Sequence, residues 1–441
     1  MKTDILKEKI RSEQCRELFA SLYGKNQYDA EVERYDRVID GFAEAFGADD
    51  SGENVLFFSS PGRSEISGNH TDHNHGKVIG GSINMDCICA AAVNRSRTVN
   101  LISETYHQNF TVDLDSLEPG KEKTGTAELV KGILKGFVNK GYAVGGFNAY
   151  ITSNVLPGAG VSSSASFETL VCQMINTFFN NETIDTVEYA HIGQFAENRY
   201  WDKASGLLDQ MCCAVGGLIS VDFKNPENPR VKKIHFDFKS SGHSLIIVNT
   251  GKGHADLSAD YSAIPEEMRA VAGFFGKQYL SEITEEDVLS HILEIRKQTG
   301  DRAVMRALHF FEENRRVDLE EAALEAGDFD AFLRNVTASG NSSWKYLQNC
   351  YTVENYKEQG ICITLALTEL FLSKKGCGAC RVHGGGFAGV IMAIVPDGIA
   401  EEYISYIDRL TGGGNAYRMF IRPEGSLCIS RKIALALCKR K

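Results

Sequence analysis

The tightest constraint on the fold lies between Phe147 and Met174. An apolar, β-prone run (Phe147 to Thr152) leads through Asn-Val-Leu-Pro into Gly158-Ala159-Gly160-Val161 and then Ser162, Ser163 and Ser164. A helical pattern follows, with apolar residues at Phe167, Leu170, Val171 and Met174. This reads as strand, glycine-rich loop and helix start. Two glycines let the backbone turn so that successive N–H groups converge, and the helix N-terminus adds partial positive charge. Such a loop holds an anion, and the three serines add hydroxyls for phosphate oxygens or a magnesium ion. The same residues also suit a plain N-cap. No Gly-Lys-Ser/Thr follows the glycines, so this is not a Walker loop.

Around this loop, 441 residues are enough for two domains, and 43% hydrophobic with 24% charged residues is ordinary for a globular chain. A net charge of -11 argues against nucleic acid or an anionic membrane as partner. No apolar run of about eighteen residues occurs. Met1 to Gly24 reads as a charged amphipathic helix, so a cytoplasmic location is expected. The 12 cysteines sit mostly in apolar runs, as small hydrophobes. Cys377-Gly-Ala-Cys380 has metal or redox spacing but lacks a second pair.

In order, helices are expected over Ile5 to Leu22 and Glu31 to Phe46, then a strand from Val55 to Ser59. Ser60 to Gly76 reads as a polar, turn-rich loop dense in ligand groups, including His70, His73 and His75. A strand meander (Val78 to Asp113) and a helix (Ala127 to Lys140) precede the glycine loop. After it, a helix over Thr186 to Arg199 puts Glu197 near its C-terminal end, where a carboxylate needs a compensating cation or solvent. Asp209 lies in an apolar segment, Gly206-Leu-Leu-Asp-Gln210, where a carboxylate needs a partner. Lys224 to Arg230 reads as a boundary. The second half has a strand (Ser244 to Asn249), long helices between Tyr261 and Ser373, and two strands flanking Gly384-Gly-Gly-Phe-Ala-Gly389. The class is α+β with two domains.

Pro61-Gly-Arg63, His70-Thr-Asp72, the Gly158 to Ser166 loop, Gly206-Leu-Leu-Asp-Gln210 and the Gly384 to Gly389 cluster, in this order, resemble the GHMP kinase family, most closely its galactokinase branch. The resemblance implies an N-terminal domain like ribosomal protein S5 domain 2 (35–225), a ferredoxin-like C-terminal domain (226–441) and a helical extension (1–34). The last strands would return to the N-terminal domain. It implies ATP-dependent phosphorylation of a sugar at its anomeric hydroxyl. By motif match, Gly158 to Ser164 would cradle the ATP phosphates, Ser164 and Glu197 would hold Mg2+, Asp209 would be the catalytic carboxylate and Arg63 its cationic partner. Asn69, His70, Asp72, Gly206 and Tyr261 would contact the sugar. A monomer or weak homo-oligomer is expected.

One departure stands out. Where the branch reads Gly-Glu-His-Thr-Asp-Tyr-Asn, this chain reads Gly68-Asn69-His70-Thr71-Asp72-His73-Asn74. An uncharged amide for a carboxylate, with His73, His75 and Lys77 nearby, lowers the cost of a sugar carboxylate, so galacturonate stands beside galactose and N-acetylgalactosamine as a substrate. From a different class, a catalytically silent sugar-and-ATP sensor would use the same fold. Such a sensor need not keep Arg63, Ser164, Glu197 and Asp209 together.

Overall fold

The computed structural model describes residues 3–47, 55–121, 123–156, 158, 160–201, 203, 205–251, 257–387 and 389–438. Ala159, expected in the phosphate cradle, lies outside them. Helices α1 (Thr3–Ile10), α2 (Glu13–Leu22) and α3 (Tyr28–Phe46) come first. The single helix expected over Ile5 to Leu22 is two. Ser12 leaves helical geometry and caps α2, its side chain accepting a hydrogen bond from the Cys15 N–H, because a hydroxyl competes with the helical ladder.

Strand β1 (Leu56–Ser67) and strand β2 (Lys77–Val93) form a long antiparallel pair, followed by β3 (Thr98–Ser103), β4 (Gln108–Asp113), α4 (Thr126–Asn139) and β5 (Phe147–Ser153). Contrary to expectation, β1 does not stop at Ser59. It runs through Pro61-Gly-Arg to Ser67, with register shifts between Pro61 and Arg63 and between Glu65 and Ser67. Polar residues hide a strand from hydrophobic patterning, and here they are polar because one face meets a cavity. Then follow α5 (Ser163–Phe179), α6 (Thr186–Tyr200), α7 (Leu208–Val215), β6 (Leu218–Asp222) and β7 (Arg230–Ile234). The sheet order is β1-β2-β5-β3-β4, with β6 on the N-terminal half of β2 and β7 on β6; β3 and β5 run parallel.

The second half supplies β8 (His243–Asn249), α8 (Ser258–Phe274), α9 (Glu285–Ser290), α10 (Ile292–Thr299), α11 (Asp301–Ala326), α12 (Phe329–Ser342), α13 (Gly360–Lys375), β9 (Ala379–His383), β10 (Val390–Pro396), α14 (Ala400–Thr411) and β11 (Ala416–Met419). Its sheet is antiparallel, β11-β8-β10-β9. The chain then re-enters the first sheet: β12 (Leu427–Cys428) pairs with β1, and α15 (Ile429–Cys438) packs beside it. Among the described residues no helix is long and apolar enough to cross a membrane.

Two features tie the halves together. A single apolar cluster joins Ile66, Ile79 and Val161 to Leu245, Val336 and Met392, so the sheets share a core. On the other face, α1 to α3 pack with Phe57, Ile88 and Ile429. Beside that second cluster, Asp86 is fully buried and takes bonds from Arg34 (2.6 Å), Tyr23 (2.7 Å), Ser59 (2.5 Å) and Arg422 (3.1 Å). Burial pushes the Asp86 carboxyl up, but the two guanidiniums and these hydrogen bonds outweigh it and hold it below the usual aspartate range.

Glu320 on α11 is the opposite case. It is fully buried, and neither carboxylate oxygen has a hydrogen-bond partner among the described residues. Burial, then the neighbouring Glu313, raise its pKa well above the ordinary 4.5. A folded-state pKa above the unfolded one means the folded chain binds the proton more tightly, so stability falls as pH rises above the unfolded value. Glu320→Gln removes that penalty. It is expected to raise Tm by about 2 °C or more at pH 8.5 and by progressively less toward pH 5.5; thermal unfolding at both pH values checks this, and a pH-independent difference would contradict it.

Candidate active site

The glycine loop closes on β1 and α7. Val161 O accepts the Arg63 N–H at 3.0 Å, and the Arg63 guanidinium also donates to Gly160 O. Ser162, at φ +61°, precedes the 17-residue helix α5, whose first residues are Ser163 and Ser164. Its hydroxyl donates to Asp209 Oδ2. Arg63 meets the other carboxylate oxygen, with Nε 2.7 Å from Asp209 Oδ1. Loop, arginine and carboxylate are thus one hydrogen-bonded unit. Burial pushes the Asp209 carboxyl up, but Arg63 and the bonds from Arg63 and Ser162 prevail, leaving its pKa below the ordinary aspartate value. Asp209 is therefore a carboxylate at neutral pH, with its side chain still 34% exposed.

That exposed surface faces a cavity of about 260 Å³ whose wall includes Arg63, Glu65, His70, Asp72, Asp209 and Tyr261. Gly206 also lines it, and a Cβ there would overlap Asp72 Oδ2. Gly385 is needed for the same kind of reason, because a Cβ would collide with the Tyr261 ring. Tyr261 donates to Gly386 O at 2.7 Å. His70 Nε2 lies 2.8 Å from Gly385 O, and burial, followed by the adjacent His73, lowers its pKa to about 4. It is neutral at pH 7. His75 stacks on Tyr279 at 3.7 Å, and among the described residues no group of three or more side chains is arranged to hold a metal ion.

Asn69 sits behind this wall, fully buried. Its Nδ2 donates to Glu65 Oε1 (2.9 Å) and Gly384 O (2.7 Å), and its Oδ1 accepts from Ser343 (3.1 Å) and Asn349 (2.8 Å). Both amide hydrogens and both lone pairs are used within the protein.

The buried Glu197 finds its cation in Lys203, 2.5 Å from Oε1, a partner not anticipated from the sequence. Ser164 Oγ lies 3.1 Å from the same oxygen, and Gln210 Nε2 bonds both Glu197 Oε2 (3.1 Å) and Glu168 Oε2 (3.0 Å). Burial, then Glu197, raises the Glu168 pKa well above the ordinary glutamate value. Against the start of α5 opens a second cavity of about 280 Å³, mostly apolar, lined by Tyr106, Phe167, Trp201, Gln108, Ser163 and Ser164. Tyr106 and Trp201 were missed because single aromatics on separate elements leave no local pattern.

Comparison with known proteins agrees with this geometry. Residues 40–93 match the galactokinase galactose-binding signature and 128–217 the GHMP kinases N terminal domain. The galactokinase of Clostridium tetani is 29% identical over 77% of this chain and 83% of its own, and that of Lactococcus lactis 28% over 84% and 89%. The crystal structure of the Lactococcus lactis galactokinase complexed with galactose superposes with a TM-score of 0.73 at 26% identity, covering 88% of this chain and 97% of that one. A mevalonate kinase shares the fold, with a TM-score of 0.58 at 16% identity over 84% and 100%. The fold and the 128–217 match define a GHMP kinase, and the 40–93 match with these relatives places the chain in the galactokinase branch of that family. It is accordingly a sugar kinase that uses ATP, a phosphotransferase with an alcohol group as acceptor.

Gly206→Ala is expected to displace Asp72 and raise KM for the sugar at least about tenfold, a loss of ~1.4 kcal/mol, while KM for ATP stays within twofold. Steady-state kinetics with each substrate varied in turn decides it.

Proposed function

We propose that this chain transfers the γ-phosphoryl group of ATP to the C1 hydroxyl of galactose, giving galactose 1-phosphate and ADP. One observation carries the reading: the Asp209 carboxylate is bonded at once to Arg63 and to Ser162 of the glycine loop, and it opens on a cavity shared with Asp72 and Tyr261. A group that accepts the sugar proton is thereby fixed relative to the loop that would cradle phosphates.

The roles follow from that arrangement. Loop amides between Gly158 and Ser164, with the N-terminus of α5, would bind phosphate oxygens. The aromatic cavity beside Ser163 would take the adenine ring between apolar walls. Asp72, His70 and Tyr261 would orient the sugar, with Gly206 leaving room for Asp72. Asp209 would accept the C1 hydroxyl proton as that oxygen bonds to the γ-phosphorus and the bridging oxygen departs with ADP. Arg63 keeps Asp209 ionised and places positive charge beside the transferring group. Positioning and electrostatics supply most of the rate in such a reaction. We assign the N-terminal domain to 35–225 together with β7 and the returning β12 and α15, and the C-terminal domain to the chain between β7 and β12, so the boundary expected at 225/226 moves past Ile234.

The Ser164 hydroxyl and the Glu197 carboxylate suit Mg2+, which takes one or two protein oxygens and completes its octahedron with phosphates and water. Bound there, the ion would neutralise charge across the β- and γ-phosphates. Lys203 shares the same carboxylate, and Gln210, which also bonds Glu168, holds its other oxygen.

The test is ADP release with MgATP over galactose, galacturonate, N-acetylgalactosamine, glucose and arabinose, for the natural chain and Asp209→Asn. Highest turnover on galactose is expected, with kcat falling about 10²- to 10⁴-fold in the variant while ATP binding persists. An unaffected kcat would remove Asp209 as the base. No ADP from any sugar, with sugar still bound, would favour a sensor.

A further inference from the structure

Asn69 raises a question that the cavity answers. Where the galactokinase pattern has a glutamate, this chain has an amide with no hydrogen-bonding capacity left for a ligand. The cavity wall nevertheless contains a carboxylate from the same strand-and-loop segment, that of Glu65.

Glu65 follows Arg63 by two residues on β1, in regular register against β2 (Arg63 opposite Ser82, Glu65 opposite Gly80). The two side chains therefore share a face, about 7 Å apart along the strand. Arg63 reaches Asp209, so Glu65 borders the part of the cavity farther from the reacting hydroxyl. Its placement is rigid. Oε1 accepts from Arg381 Nη2 at 2.7 Å and from Asn69 Nδ2 at 2.9 Å. Arg381 is fully buried and anchored by bonds to Ile66 O and Val382 O, both 2.9 Å. The Glu65 N–H donates to His383 Nε2 at 3.0 Å. Oε2 accepts no hydrogen bond from the described residues and is not sealed from solvent, so it keeps access to the cavity.

We propose that Glu65 determines specificity in this chain: its Oε2 accepts a hydrogen bond from a sugar hydroxyl remote from C1, while Asn69 serves as the amide that orients it. The proposal rests on the sugar kinase reading and deepens it. An acceptor-only carboxylate selects a hydroxyl donor and opposes a second carboxylate, so the ligand is a neutral hexose and a uronate is disfavoured. The uncharged residue at position 69 does not remove the acid from the site; the acid stands four residues earlier, in the cavity wall itself, with Asn69 behind it.

Titration calorimetry decides this with galactose, its 2-, 3-, 4- and 6-deoxy analogues and galacturonate, on the natural chain and on Glu65→Gln. The natural chain is expected to bind galacturonate at least thirtyfold more weakly than galactose. Glu65→Gln should weaken galactose at least tenfold, narrow the galacturonate gap, and leave one deoxy analogue within twofold of its natural affinity, because that analogue lacks the hydroxyl Glu65 serves. Galactose binding within twofold in the variant, or an equal loss for every analogue, overturns the proposal. If Glu65→Gln does not fold, the natural chain decides alone: galacturonate bound as well as galactose overturns it, and the thirtyfold gap sustains it. Galactose bound without ADP release would remove the kinase assignment and leave this one standing. No galactose binding at all would remove both.

Discussion

Every part of the site depends on the Arg63–Asp209 pair. Arg63 comes from β1, Asp209 from the first turn of α7, and the loop carrying Gly160 and Ser162 is bonded to both. Removing either charge would leave the other without its counter-charge in a largely buried site, which costs far more than the net worth of the pair. Because Arg63 also takes its backbone bond to Val161 O, the pair sets the distance between phosphate loop and sugar cavity. Geometry that in other sites is imposed by a lid is here imposed by an ion pair and two hydrogen bonds.

Around this unit lie two buried polar networks. One, centred on Asp86, joins helix α3, strand β1, strand β2 and the segment at Arg422. The other joins Glu65, Arg381, Asn69, His309 and Glu313: His309 Nε2 bonds Asn69 O at 2.9 Å, and Glu313 accepts the Gly68 N–H at 3.2 Å. Burial pushes the Glu313 carboxyl up, but His309, Arg316, Arg381 and the Ser339 hydroxyl together lower its pKa to about 2. The sugar loop is therefore held from beneath by charges that the low dielectric strengthens. A loop rich in polar residues stays ordered because almost all of them have partners.

Much of this was legible in the sequence. The glycine-serine loop, helix α5 and the segment at Asp209 announce themselves by local spacing, and the ordered run of motifs identifies the family. Strand β1 was cut short because its polar half faces a cavity, which hydropathy cannot distinguish from solvent. Lys203 and Glu65 were missed for a related reason. Lys203 lies just past the end of α6 and pairs with Glu197 on that helix, Glu65 pairs with Arg381 on β9, and a lysine or glutamate in a polar stretch reads as a surface residue. Asn69 was read from its alignment with a motif; its burial under Ser343 and Asn349, more than 270 positions away, is a property of tertiary packing alone.

The return of the chain to its own beginning bears on how the protein is made. Strand β1 carries Arg63 and Glu65, and the edge it turns away from β2 is paired with Leu427 and Cys428, with Arg422 completing the bonds to Asp86. During synthesis from the N-terminus, β1 emerges long before those residues. Until Arg422, Leu427 and Cys428 leave the ribosome, the nascent chain presents an unpaired strand edge and an aspartate lacking one of its two arginines. Such an edge is an aggregation hazard. Helices α2 and α3 precede β1 in the chain and pack with Phe57 and Ile88 on one face of the sheet, which leaves the edge itself to β12.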